Sequence, residues 1–172
     1  IEVTDGRIIL NGAPVQREVV PPVRIPFEPE LTCENGPCLA NFEAYRVRDA
    51  DGTQWFEPPT YRETLPNGAT YLIIDHRTQD LDNFGPYQVP DKQVFVMGDN
   101  RDESADSRAP AEARGLGGGI PLENIGGRAE FITFSLDGSA TWNPLTWFSA
   151  MRGERAWTTL RPAIAEQGEA AE

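Results

Sequence analysis

Three turn signals constrain this chain more than any other feature. Asp5-Gly6, Asp51-Gly52 and Pro66-Asn67-Gly68 each interrupt a run in which apolar and polar residues alternate. Tight hairpin loops need left-handed backbone, which Gly, Asn and Asp supply, and a period of two turns one face of each flanking run toward a core. The segments "IEVTDGRIIL", "FEAYRVRDADGTQWFEP" and "YRETLPNGATYLIID" therefore read as antiparallel hairpins. The short apolar run "QVFVMGD" reads as a strand buried on both faces, and "GRAEFITFSLDG" as a further strand ending at Asp137-Gly138. Residues 20–30, "VPPVRIPFEPE", carry too much proline for a central strand and read as an extended connection. One helix is signalled, with Asn143 as N-cap, Pro144 at the first turn and Gly153 to close it. The tail from Ala163 is uncapped and expected to fray. With 16 glycines, 15 prolines and 39% hydrophobic residues, the expected fold is mostly β, built of antiparallel sheets with one short C-terminal helix. The linker-like residues 80–91, "DLDNFGPYQVPD", are expected to mark a domain boundary.

A net charge of −12 argues against a nucleic-acid or anionic-lipid surface, since phosphate binding needs a basic face. No apolar run approaches a membrane span, and no signal peptide is visible. The first residue is Ile1 rather than Met, so the sequence is expected to be part of a longer translation product. Cys33 and Cys38 flank Glu-Asn-Gly-Pro, a turn. A short-loop disulfide, two reduced thiols and half a zinc site are the open readings, the last poorly supported because His76 is the single histidine.

The chemistry concentrates in "VFVMGDNRDESADSR", residues 94–108, where four apolar residues give way to a dense polar loop. A calcium loop would need oxygen ligands at alternating positions, and Arg101 stands where one belongs. A Ser-His-Asp triad would have to use His76, read here as a solvated residue at a strand end. A Ser-Lys dyad needs a buried, neutral lysine, and the single lysine, Lys92, lies in the turn "VPDKQ" and is expected to be exposed. The plain alternative is a salt-bridged loop in which Asp99 pairs with an arginine and Asp106 with Arg108.

"VPDKQVFVMGDNRDESADSR" followed by "IPLENIGGRAEFITFS" resembles the C-terminal conserved box of bacterial type I signal peptidases. "ETLPNGATYLI", "WNPLTWFSAMRGERAW" and "IEVTDGRIILNG" are similar to other parts of that family, so the resemblance covers most of the chain. It implies a membrane-anchored serine endopeptidase, without a cofactor, that removes signal peptides from exported preproteins at the periplasmic face of the inner membrane. The family's nucleophile is a serine near the first membrane span and its base is a lysine in a later segment. These residues contain neither an adjacent Ser-Met pair nor a Lys-Arg pair, so the chain is expected to start downstream of the lysine box and to be inactive alone.

By the same resemblance, Ser104 orients the lysine, Gly98 lets the lysine stem pass, and Asp106 and Arg108 form an internal salt bridge. Asp99 would lack its arginine partner, and Arg101 and Asp102 fix the loop. The resemblance divides the chain into an inserted β-domain over 1–85, with Cys33–Cys38 as its disulfide, the C-terminal part of the catalytic core over 86–140, and an aromatic helix and tail over 141–172. Partners are preprotein signal peptides and, through Trp142, Trp147 and Phe148, the lipid interface; no nucleic acid is expected. Core packing is the preferred reading of Trp142, Trp147, Phe148, Met151 and Trp157, with insertion at the bilayer surface as the other. Gly117, Gly118 and Gly119 are expected to make the loop after Arg108 long and mobile. The alternative function is a non-catalytic relative that binds extended peptides at a sheet edge.

Overall fold

The computed structural model describes residues 1–28, 32–33, 36–37, 39–136, 139 and 141–164. Its strands are, in chain order, β1 (Glu2–Thr4), β2 (Arg7–Leu10), β3 (Ala13–Pro14), β4 (Gln16–Val20), β5 (Ile25–Pro26), β6 (Thr32–Cys33) and β7 (Gly36–Pro37). They continue with β8 (Arg46–Arg48), β9 (Gln54–Phe56), β10 (Thr60–Thr64), β11 (Ala69–Ile74), β12 (Gln93–Val94), β13 (Ile120–Pro121) and β14 (Ala163–Ile164). All these strands pair antiparallel, as the turn signals require. Among the described residues there is one α-helix, α1 (Pro144–Ala150). No helix among the described residues is long and apolar enough to cross a membrane.

The chain divides into two compact units that are not continuous in sequence. The first holds Ile1–Pro22, Pro59–Gly127 and the described residues from Pro162. Its main sheet has the order β14-β11-β10-β4, so β10 is flanked on both sides. The hairpin β10–β11 pairs Thr64 with Thr70 around Asn67-Gly68, and the Asn67 side chain accepts the Ala69 N–H. The aromatic and β-branched residues of "TYRET" and "ATYLII" suit this pleated, half-buried surface. A second sheet, β1-β2-β3, turns at Asp5-Gly6 and again at Asn11-Gly12, with positive φ at all four residues. The Asn11-Gly12 turn is a fourth hairpin that the sequence reading passed over.

Residues 80–91 do not separate domains; they run inside the first unit. Val3 and Phe84 exchange backbone hydrogen bonds of 2.8 and 2.9 Å, and Tyr87 N–H donates to Ile1 O at 2.8 Å. The rings of Phe84, Tyr87 and Phe95 pack mutually with centroids 5.4–5.9 Å apart. Backbone pairing with β1 and aromatic packing outweigh the linker-like composition. For the same reason the expected linear division at residue 85 does not follow the compact units: β4, β10 and β11 share a unit with residues 98–108.

The strand foreseen in "QVFVMGD" is only β12, which pairs with β13 at Gln93 and Val94, and residues 93–98 are half-buried rather than buried on both faces. Ala163 and Ile164 are not frayed; they pair with Thr70 and Ala69 as the edge strand β14.

The second unit holds Val23–Pro58 and Arg128–Arg161. Its sheet order is β5-β9-β8, which places the proline-rich segment on an edge, where a missing N–H is tolerated. Phe42 and Phe56 are buried, and Phe27 meets Phe56 edge-on at 5.6 Å. The Asp51-Gly52 turn closes β8–β9 through Asp49 N–H to Thr53 O at 2.8 Å. Residues 128–136 form no continuous strand; they lie against residues 151–160 through isolated bridges, Phe131 with Thr159 and Leu136 with Met151, and through backbone bonds such as Ile132 N–H to Thr158 O at 3.0 Å and Arg152 N–H to Ser135 O at 2.8 Å. In α1, Asn143 caps as expected, its side chain accepting Leu145 N–H at 3.1 Å. The helix ends at Ala150, before Gly153, which instead opens a 3₁₀ turn. The Cys33 side chain and Cys38 lie outside the described residues, and with them the expected disulfide.

Candidate active site

Residues 96–108 fold back on themselves. Ser107 N–H donates to Val96 O at 3.1 Å, and Val96 N–H donates to Ser107 Oγ at 3.0 Å. Ser107 is fully buried, so its hydroxyl is a structural acceptor. The double link holds the two ends of the polar loop together.

Within the loop, Asp106 and Arg108 form a buried bidentate pair. Arg108 Nε and Nη2 donate to Asp106 Oδ1 and Oδ2 at 2.9 and 2.8 Å. Asp106 also accepts the N–H of Gly98 at 3.0 Å and that of Arg108 at 3.0 Å. Burial pushes the Asp106 carboxyl up, but these bonds outweigh it and hold the group below the usual carboxylate range. Arg101 makes a second buried pair, not with Asp99 but with Glu63 of β10, at 2.5 and 3.2 Å. Its Nε donates to Gly98 O at 3.2 Å. Asp99 is exposed, and its Oδ1 accepts the N–H of Asn100.

Asp102 fixes the loop to the end of β11. Its Oδ2 accepts the N–H groups of His76 and Arg77 at 2.6 and 3.1 Å. His76 is not solvated: its side chain is 5% exposed, with Nε2 3.6 Å from Asp102 Oδ2. The strand end that carries it is covered by the loop.

Gly98 and Ser104 come into contact. A Cβ on Gly98 would lie 2.3 Å from Ser104 Oγ, so the room left by the missing side chain is filled by the Ser104 hydroxyl. Beside them opens a cleft of about 850 Å³, lined by Ile8, Leu10, Tyr71, Phe95, Met97 and Gly98 among others. Asp99 and Arg101 border it. The Tyr71 phenol is pushed up to about 12, by burial first and by the charge of Glu63 next, so it stays a hydrogen-bond donor at neutral pH. A largely apolar cleft with a few converging polar groups is the usual form of a binding site.

The glycine run after Arg108 is pinned, against expectation. Leu116 N–H donates to Asp106 O, Gly117 N–H to Ala109 O and Gly118 N–H to Ser107 O, at 2.9–3.0 Å. Gly119 N–H donates to the Tyr87 hydroxyl at 2.9 Å. Gly118 has φ +114, and a Cβ there would meet the Tyr87 oxygen at 2.8 Å, so close backbone approach rather than flexibility requires glycine.

A smaller cavity of about 350 Å³ lies on the same unit, lined by Asp75, His76, Arg77 and Asp82 among others. Asp75, Asp82 and Asp102 bring carboxylate oxygens within 4.8 Å of one another, the one grouping among the described residues spaced to hold a cation. Arg17 already pairs with Asp75 at 2.8 Å. Burial, and then the charges of Asp75 and Asp102, push the Asp82 carboxyl up.

Of the residues named from the sequence, Gly98, Asp99 and Arg101 line the cleft, while Ser104 touches Gly98, and Asp106 and Arg108 pair behind it. Sequence reasoning missed Glu63, whose signal is slight: a single acidic residue in "TYRET". Lys92 is exposed in a turn with φ +59, as expected. Trp142 is 100% exposed, and Trp147, Phe148, Met151 and Trp157 are exposed too, so core packing of this cluster is overturned. α1 has only seven residues and buries Ala150 alone.

Residues 1–134 match the family model described as signal peptidase, peptidase S26. The chain belongs to this family. Among curated relatives, the signal peptidase I of Rickettsia typhi is 39% identical over 99 residues, covering 54% of this chain and 33% of the relative. That of Rickettsia prowazekii is 37% identical over 102 residues, again 54% and 33%. That of Rickettsia conorii is 39% identical over 92 residues, covering 48% and 30%. The chain thus spans about a third of the length of these signal peptidases. No solved structure matches it.

Proposed function

We propose that this chain is the C-terminal portion of a membrane-anchored serine endopeptidase that removes signal peptides from exported preproteins at the periplasmic face. The nucleophilic serine and the base lysine come from a segment outside these residues. The carrying observation is that the box at residues 98–108 folds into an ion-paired wall in which Gly98 lines an apolar cleft and Ser104 packs directly against Gly98. A lysine amine acts as a base near neutral pH when it is desolvated, and a neutral hydroxyl directs it without adding charge. Ser104 supplies that hydroxyl; the two buried ion pairs hold the backbone around it. The cleft takes the small apolar residues that precede the scissile bond.

The test compares three samples on a preprotein with small residues before its cleavage point: the protein from the complete coding sequence, the same protein with Ser104→Ala, and these 172 residues alone. The complete protein cleaves, the 172 residues do not, and Ser104→Ala lowers kcat by about 100-fold, the range of a mispositioned or lost acid–base partner. Full-rate cleavage by Ser104→Ala would overturn the role given to Ser104. Failure of the complete protein to cleave would favour a peptide-binding relative.

The exposed aromatic cluster supports a lipid contact. Trp and Phe prefer the zone between headgroups and hydrocarbon, and Trp142, Leu145, Phe148 and Trp157 all project into solvent. With a net charge of −12, the contact is apolar rather than electrostatic. Trp142→Ala/Trp147→Ala is expected to reduce partitioning onto zwitterionic vesicles at least tenfold, measured by sedimentation. Unchanged partitioning would exclude the contact.

A further inference from the structure

The two buried ion pairs converge on one residue. Asp106, held by Arg108, accepts the N–H of Gly98. Arg101, held by Glu63, donates to the carbonyl of Gly98. Both polar groups of the Gly98 residue are therefore fixed by a charged side chain whose own partner is buried. Arg101 is also bound through its backbone: its carbonyl accepts Arg108 Nη2 at 2.8 Å and Gln79 Nε2 at 3.1 Å. The two pairs are thus linked as well as parallel.

Glu63 stands apart from the loop in sequence. It sits in β10, with Arg17 of β4 as its cross-strand partner on one side and Tyr71 of β11 on the other. A residue in an inner strand of a sheet has few directions in which to move. Its carboxylate takes both terminal nitrogens of Arg101, a fork-to-fork geometry that fixes the guanidinium plane as well as its distance. The third donor, Nε, then points at Gly98 O. The Glu63 and Arg101 side chains are 1% and 3% exposed.

Burying such a pair is poor evidence for stability, because well-packed apolar residues commonly do as well. What an apolar pair cannot do is aim a donor. We infer that Glu63 is a positioning residue: acting through Arg101, it sets the carbonyl of Gly98, and with it the wall against which Ser104 is held beside the cleft. This rests on the serine–lysine reading above. Glu63 touches no reacting atom, and its effect reaches the chemistry through the placement of Gly98 and Ser104.

The test uses the protein from the complete coding sequence. It compares wild type, Ser104→Ala, Glu63→Gln and the double variant Glu63→Met/Arg101→Met. Glu63→Gln leaves Arg101 buried with a weaker partner, so it lowers both Tm and kcat. The double variant removes both charges and keeps their volume, so its Tm returns to near the wild-type value. Its kcat is expected to stay at least 10-fold down with KM changed less than twofold, since displacements near 1 Å can cost about 100-fold. Recovery of both Tm and kcat in the double variant would show that the pair is only structural and overturn the inference. An active wild type with an inactive Ser104→Ala, together with a fully active double variant, would refute the inference alone. An inactive wild type would refute the serine–lysine reading, and the inference with it.

Discussion

Asp106→Ala is expected to cost about 3–5 kcal/mol of folding stability at neutral pH, the range for removing one partner of a buried ion pair. The Arg108 side chain is 1% exposed, and without Asp106 its Nε would lose its acceptor. The Gly98 and Arg108 N–H groups would lose theirs as well. Urea unfolding followed by far-ultraviolet circular dichroism measures the shift in midpoint at constant slope. The pH dependence has a definite sign. Hydrogen bonds hold the folded Asp106 carboxyl below its unfolded value, so the folded state binds fewer protons in that range and stability falls as pH falls. The contribution is complete above the unfolded value, about 4, and is lost as pH drops through the folded one. The gap between wild type and Asp106→Ala should therefore be constant from pH 6 to 8 and narrow below about pH 4. A gap that widened on acidification would contradict the assignment.

Gly98→Ala tests contact rather than charge. The added methyl would sit 2.3 Å from Ser104 Oγ and 2.5 Å from Ser104 Cβ, so the serine must move. Overpacking of this kind costs about 1–3 kcal/mol. The expected effect on peptidase activity of the complete protein is larger, about 100-fold in kcat, because the hydroxyl is displaced. Adding Ser104→Gly to Gly98→Ala should recover most of the lost Tm and none of the activity. Activity close to wild type in Gly98→Ala alone would show that Ser104 has room to spare.

The hairpins were legible because Asp-Gly and Asn-Gly carry their own backbone geometry, and the box was legible because its eleven residues lie in one unbroken stretch of sequence. Other features were not. Glu63 lies 38 residues from Arg101, and nothing in "TYRET" says which polar residue faces inward. Residues 80–91 looked like a linker because Asp, Asn, Gly and Pro are turn formers; pairing between Val3 and Phe84 makes them part of a packed unit. His76 looked solvated because its cover, Asp102, comes from a distant loop. The segment 128–136 has strand composition, but its partner, residues 151–160, lies further along the chain and meets it only through scattered bridges and backbone bonds. In each case a long-range contact decided the outcome.

The anchored glycine run reverses the usual relation between loop composition and tolerance to change. Surface loops ordinarily absorb insertions and deletions, because each residue answers only to solvent. Here four successive N–H groups, from Leu116 to Gly119, each have an assigned acceptor, three on the backbone of residues 106–109 and one on Tyr87. One residue added or removed would shift every later donor off its acceptor. The segment works as a ruler of fixed length, and a library that varies its length should lose far more members than one that varies the sequence of the neighbouring Ala111–Ala113 turn.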